Sequence, residues 1–296
     1  MKILPGPASK KLSEKLASSL NLPILELNFK YFTDGETYLQ IVGNVKEEEV
    51  VIVQTTFPDQ EKKLMEILLI ASTLKELEAS KVVAIIPYLC YARSDRRRKE
   101  GEVVSHDITM NLIHDSGIDS LITINAHNTD AFQQTTTDME KYNLNIIPYL
   151  SQEIKKSGEK DWLIIGPDSG SVEDIKLASQ ILKSPYTTLE KYRSPDTHKV
   201  TIKDTEIDCK GKDVLLIDDI ISSGGTAIDA IKLILKNKPS SLVFFCIHNL
   251  ASEKVIQEIK ELGVDRIIST NTIERSDVEI IDIAESITNL IEEKYQ

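Results

Sequence analysis

The chain has 296 residues, 41% of them hydrophobic but only 5% aromatic, enough for one large domain or two ordinary ones with the apolar load on Ile, Leu and Val. With 35 Lys and Arg against 47 Asp and Glu, the formal charge is −12; this disfavours a wide nucleic-acid footprint but leaves room for a local basic cluster that binds a small anionic substrate. No stretch approaches 18 apolar residues, the opening Met1-Lys2-Ile3-Leu4-Pro5-Gly6-Pro7 is too broken for a secretory leader, and Cys90, Cys209 and Cys246 form no CxxC pair, so a cytoplasmic protein with buried thiols and no membrane or nucleic-acid partner is expected.

Apolar bursts and amphipathic stretches alternate along the chain. Residues 9–20 predict a helix, with Leu12, Leu16, Ala17 and Leu20 on one face. Residues 50–55 predict a buried strand, 62–78 a helix burying Leu64, Ile67, Leu68, Ala71 and Leu74, and 81–87 a second strand. A charged segment leads to a helix over 106–115 and a strand over 120–124. Polar residues around 145–160, Lys155 to Lys160 above all, mark a break between two halves.

The second half repeats the pattern, with strands at 162–165, 212–217, 242–247, 266–269 and 279–283. Helices are predicted over 171–183, 226–236, 252–262 and 284–294, with Gly263 as a C-terminal cap. Residues 199–207 alternate polar and apolar, as a half-exposed antiparallel strand does. Strand–helix repetition of this kind gives an α/β fold with parallel sheets covered by helices on both faces.

The sharpest local signal lies at 213–226, where a buried strand runs into Asp218 and Asp219 and then into Ser222, Ser223, Gly224, Gly225 and Thr226 before a helix. Glycines let a backbone approach a ligand closely, hydroxyls add donors, and the helix N-terminus favours an anion. The paired carboxylates suit vicinal hydroxyls, directly or through a divalent ion, so the stretch reads as a sugar-phosphate site. A strand-end turn with a capped helix is the structural alternative. A Walker loop is excluded because no Gly-Lys-Ser/Thr follows the glycines, and the dinucleotide fingerprint Gly-x-Gly-x-x-Gly is absent.

Residues 218–226 resemble the phosphoribosyl-diphosphate motif of type I phosphoribosyltransferases and ribose-phosphate diphosphokinases, with Ser222-Ser223 where Asp-Thr is commoner. Five more stretches resemble the diphosphokinases, in an archaeal-like form. Phe32-Thr33-Asp34-Gly35-Glu36, by itself also a plausible turn, matches their Phe-x-Asp-Gly-Glu. Pro87-Tyr88-Leu89-Cys90-Tyr91-Ala92-Arg93-Ser94-Asp95-Arg96 matches their Pro-Tyr-x-x-Tyr-Ala-Arg-x-Asp-Arg, with Ser94 for Gln. Asn125-Ala126-His127 matches Asp-x-His, and Pro167-Asp168-Ser169-Gly170-Ser171 matches Pro-Asp-x-Gly-Gly. Lys191 and Arg193 match a Lys-x-Arg pair on a closing flap.

The resemblance implies two tandem phosphoribosyltransferase-like domains with largely parallel central sheets. Residues 1–147 would serve ATP and 148–296 ribose 5-phosphate, with the last helix able to pack back on the first domain. It implies ATP binding by Phe32, Asp34, Glu36, Arg93, Ser94, Asp95 and His127. Asp168, Asp218, Asp219, Ser222, Ser223, Gly224, Gly225 and Thr226 would bind ribose 5-phosphate, His127 and Asp168 would meet Mg²⁺, and Lys191 and Arg193 would be catalytic. The implied reaction passes the diphosphoryl group of ATP to ribose 5-phosphate in a homodimer or larger homo-oligomer. A base-using phosphoribosyltransferase shares only the 218–226 motif. A non-catalytic regulatory homologue is the second alternative, motivated by Ser94, Asn125, Ser171 and Ser222.

Overall fold

The structure, a computed structural model, describes residues 1–156, 161–193, 200–202 and 207–295, the side chains of 191–193 and 200–202 excepted. The chain divides into two compact units, Met1–Asn145 with Ile283–Gln296, and Ile146–Asp282.

The first unit opens with β1 (Lys2–Pro5), α1 (Lys10–Leu20), the hairpin β2 (Glu26–Tyr31) and β3 (Thr37–Val42), β4 (Glu49–Val53) and α2 (Gln60–Glu76). It continues through β5 (Lys81–Ile86), α3 (Ser105–Asp115), β6 (Ser120–Ile124), α4 (Thr129–Gln134) and β7 (Glu140–Leu144). Its main sheet has the order β1-β4-β5-β6-β7, every pair parallel. The Val- and Ile-rich runs of β4, β5 and β6 are almost wholly buried, as strands covered on both faces must be. α1 buries Leu12, Leu16, Ala17 and Leu20, the face its periodicity predicts.

The second unit begins with α5 (Ile147–Lys156), β8 (Trp162–Gly166), a 3₁₀ turn at Ser169–Ser171, α6 (Val172–Leu182) and β9 (Tyr186–Thr188). Then come β10 (Lys191–Arg193), β11 (Val200–Ile202), β12 (Asp213–Ile221), α7 (Gly225–Lys236), β13 (Ser241–Asn249), α8 (Glu253–Glu261), β14 (Arg266–Thr270) and β15 (Glu279–Ile281). The six-stranded sheet, ordered β15-β14-β13-β12-β8-β9, is parallel throughout. β10 and β11 pair antiparallel, as the alternation around 199–207 predicts; of that stretch, residues 199 and 203–206 fall outside the described set. The final helix, α9 (Ala284–Tyr295), packs on α1 in the first unit, where the Tyr295 hydroxyl bonds to Ser120.

Both α/β units thus have the parallel sheets expected. One expectation needs correction. Much of the 145–160 break is helix: α5 buries Ile147, Leu150 and Ile154 and packs on α6, Lys155 and Lys156 form its last turn, and residues 157–160 are outside the described set. The three thiols are free and buried, and no described helix is long and apolar enough to cross a membrane.

Candidate active site

In the second unit the chain leaves β8 for β9 on one side and later places β12 on the other. Where strand order reverses in an open parallel sheet, a ligand crevice opens beyond the carboxyl ends of the two strands. Beyond β8 lies Asp168; at the end of β12 lie Asp218, Asp219 and the small-residue loop. Two of the predicted clusters therefore share one switch point.

β12 overruns its predicted end at Ile217. It stays paired as far as Ile221 because Asp218, Ile220 and Ile221 remain in register with Cys246, His248 and Asn249. Asp218 and Asp219 are consequently fixed by the sheet instead of hanging from a loop. Asp218 is half-buried by accessible surface, yet enclosed by enough protein to lose most of its hydration. That burial pushes its carboxyl well above the usual carboxylate range, and repulsion from Asp219 and then Asp168 adds to the shift. The Asp219 N–H donates to Asp218 Oδ1 at 3.0 Å, which opposes the shift without cancelling it. Burial and the two carboxylates also keep the neighbouring Cys246 thiol protonated, and its Sγ donates to the His248 carbonyl at 3.3 Å. The site therefore sets the Asp218 carboxyl beside that of Asp219, two hydrogen-bonding groups placed for a pair of hydroxyls.

The two glycines after β12 have different reasons. Gly224 has φ +80°, and a methyl there would lie 2.3 Å from Val255 Cγ1 of α8, so the fold itself requires glycine. Gly225 has no positive φ, is exposed, and a methyl there would meet no described heavy atom within 4 Å. Nothing in the described fold demands glycine at 225. It opens the 12-residue α7, whose N-cap Gly224 offers no side-chain acceptor to the first-turn N–H groups. Ser222 and Ser223 are exposed and Thr226 half-buried beside this helix end, making a donor-rich, open anion cradle.

Asp168 is extended, and its Oδ1 accepts from the Gly170 N–H at 2.7 Å, which fixes the following turn. Ser171, which stands for a family glycine, is buried; its hydroxyl donates to the Asp168 carbonyl at 2.8 Å. Gly166 makes room for it, since a methyl at 166 would lie 2.0 Å from Ser171 Oγ. The serine is thus directed into the protein and leaves the turn open.

In the first unit the Phe32–Glu36 stretch is the tip of the β2–β3 hairpin. The Phe32 N–H donates to the Glu36 carbonyl at 2.9 Å, and the Glu36 N–H to Asp34 Oδ1 at 3.1 Å, an Asx turn closed by Gly35 at φ +97°. Phe32 is 43% exposed, with Lys30 Nζ 4.7 Å from its ring centre. β5 leads into the basic loop, where Arg93 is exposed and Ser94 is a clasp: its hydroxyl donates to the Val103 carbonyl and accepts from the Ser105 N–H, both at 3.3 Å. Glu102 accepts from the N–H groups of Arg98 and Lys99 at 2.7 and 3.0 Å, so the loop curls with its cations outward.

β6 ends at the turn carrying His127, which is exposed. Asn125 is buried at φ +36°, a backbone that Asn tolerates better than most residues. Asn128 caps α4 through the Ala131 N–H and donates to Asp95 Oδ2 at 2.5 Å. The bond from Asn128 joins the Arg93 loop to the His127 turn, so those two predicted clusters also meet. For Lys191 and Arg193 only the strand pairing is described; their side chains lie outside the described residues.

A protein that is 34% identical over 294 residues, the ribose-phosphate pyrophosphokinase of Sulfurisphaera tokodaii, matches 98% of this chain and 100% of its own length. The chain belongs to the ribose-phosphate pyrophosphokinase family. The pyrophosphokinase of Saccharolobus solfataricus is 36% identical, with 97% of this chain and 99% of that protein covered. The family model for the N-terminal domain of ribose phosphate pyrophosphokinase matches residues 1–117, and that for the phosphoribosyl transferase domain matches 136–281. The crystal structure of phosphoribosylpyrophosphate synthetase from Mycobacterium smegmatis shares the fold, with a TM-score of 0.88 at 23% identity over 98% of this chain and 97% of that one.

Among the described residues of this pyrophosphokinase, no three His, Cys, Asp or Glu side chains cluster as a metal cage. Mg²⁺ keeps several waters and takes only one or two protein ligands beside substrate phosphates, so an acidic crevice holding Asp168 fits it. Sequence reasoning gave no role to Asn128, although Asn before Thr-Asp is a legible helix start. It also missed Val255, whose contact with Gly224 no local pattern announces.

Proposed function

We propose that this chain transfers the diphosphoryl group of ATP to the C1 hydroxyl of ribose 5-phosphate. The C1 oxygen attacks the β-phosphorus, the bond from that phosphorus to the α–β bridging oxygen breaks, and AMP leaves with that oxygen. The hydroxyl proton passes to water, and the product is 5-phosphoribosyl-1-diphosphate. The observation that carries this reading is the open start of α7 at Gly225, adjoining the sheet-held pair Asp218 and Asp219 at the switch point of the second sheet.

In this reading Ser222, Ser223, Gly224, Gly225 and Thr226 receive the 5-phosphate, and Asp218 and Asp219 bind the ribose hydroxyls. Phe32 packs on adenine, Asp34 and Glu36 orient the nucleotide, and Arg93, Ser94, Asp95 and His127 serve the triphosphate side. Asp168 and His127 are the proposed protein ligands of Mg²⁺, which supplies charge neutralisation on the phosphates when bound. The barrier is electrostatic, because an oxygen nucleophile approaches a polyanion, and Lys191 and Arg193 are proposed to neutralise the migrating group. Lys191→Ala should therefore lower kcat by roughly 100- to 1,000-fold and leave the KM for ribose 5-phosphate within about threefold. Steady-state kinetics check this; a raised KM at unchanged kcat contradicts it.

We also propose a cytoplasmic homodimer or larger homo-oligomer, in which the exposed Phe32 tip serves a neighbouring subunit's nucleotide. Purified protein given ATP, ribose 5-phosphate and Mg²⁺ should release AMP with no nucleobase present. A strict need for a base would instead indicate a phosphoribosyltransferase. Folded, ATP-binding protein without turnover would indicate a regulatory homologue.

A further inference from the structure

The first unit buries a charged network that the reaction chemistry does not use. Lys63 and Glu66 lie three residues apart on α2, and both are buried. Lys63 Nζ donates to both carboxylate oxygens of Glu66 at 3.1 Å and to the Tyr31 hydroxyl at 2.7 Å. Gln54, just beyond β4, donates from Nε2 to Glu66 Oε2 at 2.8 Å, and its Oε1 accepts from the Ala8 N–H at 2.9 Å. Gly6 packs so closely on Gln54 that a methyl would lie 2.2 Å from Oε1. The chain of bonds therefore starts on the rigid end of the sheet, crosses α2 and finishes on the last residue of β2.

The place where it finishes matters. A two-stranded hairpin is weakly determined by itself. Leu27, Leu39 and Ile41 seat the base of this one on the core, whereas the tip from Phe32 to Glu36 is exposed. Tyr31 lies between the two, and its hydroxyl is held by Lys63. Burial alone would push the Lys63 amine down; its bonds to Tyr31 and Glu66 outweigh that and hold it above its ordinary value, so it stays a cation. Buried ion pairs contribute little stability compared with apolar packing, and their best-attested benefit is a specified geometry.

We infer that Lys63 is a positioning residue for the nucleotide: through the Tyr31 hydroxyl it fixes the hairpin tip that presents Phe32, Asp34 and Glu36. This rests on the proposed role of that tip in ATP binding. Lys63 need not touch ATP to set where the adenine platform stands.

The test measures kcat, both KM values and Tm in the full chain. Tyr31→Phe removes one hydroxyl and keeps the Lys63–Glu66 pair, so the fold should survive. It should raise the KM for ATP by about 3- to 10-fold and leave that for ribose 5-phosphate unchanged. Lys63→Met should raise the same KM by about 10-fold or more, Lys63→Arg should recover part of the loss, and adding Tyr31→Phe to Lys63→Met should cost nothing further. An unchanged ATP KM in Tyr31→Phe, or equal rises in both KM values, would overturn the inference alone. Phe32→Ala with an unchanged ATP KM would overturn the reading on which it rests.

Discussion

Gly225→Val should leave the protein folded and raise the KM for ribose 5-phosphate by about 100-fold or more. The fold has no use for glycine at this position: φ is ordinary, the described surroundings are open, and the residue is exposed at a helix start. A branched side chain there fills only the space from which an anion would meet the first-turn N–H groups. Charge-assisted bonds of that kind contribute about 1.5–3 kcal/mol each, which sets the size of the loss. Gly224→Ala is the control. Its positive φ costs about 1 kcal/mol, and overpacking against Val255 costs about 1–3 kcal/mol more, so this variant should lose Tm. Thermal melts and substrate titrations of the two variants check the contrast. A large Tm loss in Gly225→Val would contradict the fold's indifference to glycine there, and an unchanged KM would show that no phosphate lies at the start of α7.

Asp218→Asn should stabilise the protein and cripple the enzyme. The folded protein holds the Asp218 carboxyl well above its ordinary range, by burial first and then by Asp219 and Asp168. The unfolded chain releases that proton near pH 4. Below that pH the carboxyl is protonated in both states and imposes no penalty. As pH rises toward the folded value, the unfolded state alone ionises and stability falls. Above the folded value the whole penalty is present. Asn has no such penalty, so the gain in Tm over wild type should widen as pH rises from about 4. A stabilisation on the order of 1 kcal/mol is expected, with kcat/KM lowered by about 10- to 100-fold because the carboxyl's hydrogen bond to a ribose hydroxyl is lost. Melting curves across pH, beside kinetics, check both halves. A Tm gain that shrinks with pH contradicts the assigned titration.

Much of this was legible from residue order, and the exceptions have physical causes. β4, β5, β6, β8 and β13 announce themselves because strands buried on both faces read as nearly continuous apolar runs. The β2–β3 hairpin went unread because most of its residues are exposed and its apolar side chains do not alternate cleanly. α5 was hidden by Pro148, which reads as a breaker although the first helical turn tolerates it, and by a lysine-rich end that looks like a linker. The end of β12 was misplaced because two aspartates look like a strand end, whereas pairing with Cys246 and His248 carries the ladder past them.

The candidate site divides in the same way. Local order reveals the acidic pair, the small-residue loop and the basic patch. It cannot reveal which glycine serves the fold and which the ligand, since Gly224 and Gly225 differ only in what surrounds them. Nor can it show that Asn128 ties Asp95 to the His127 turn, or that Lys63 reaches Tyr31 thirty-two residues away. The first contact exists only once parallel β5 and β6 bring their loops to one end of the sheet, the second only once the hairpin packs beside α2.

The most direct test is phosphorus NMR of the purified protein with ATP, Mg²⁺ and ribose 5-phosphate. Resonances of a sugar 1-diphosphate and of AMP should grow together, one for one, as the ATP signals decline. Steady ATP signals, or decay to ADP and inorganic phosphate with ribose 5-phosphate untouched, would contradict diphosphoryl transfer.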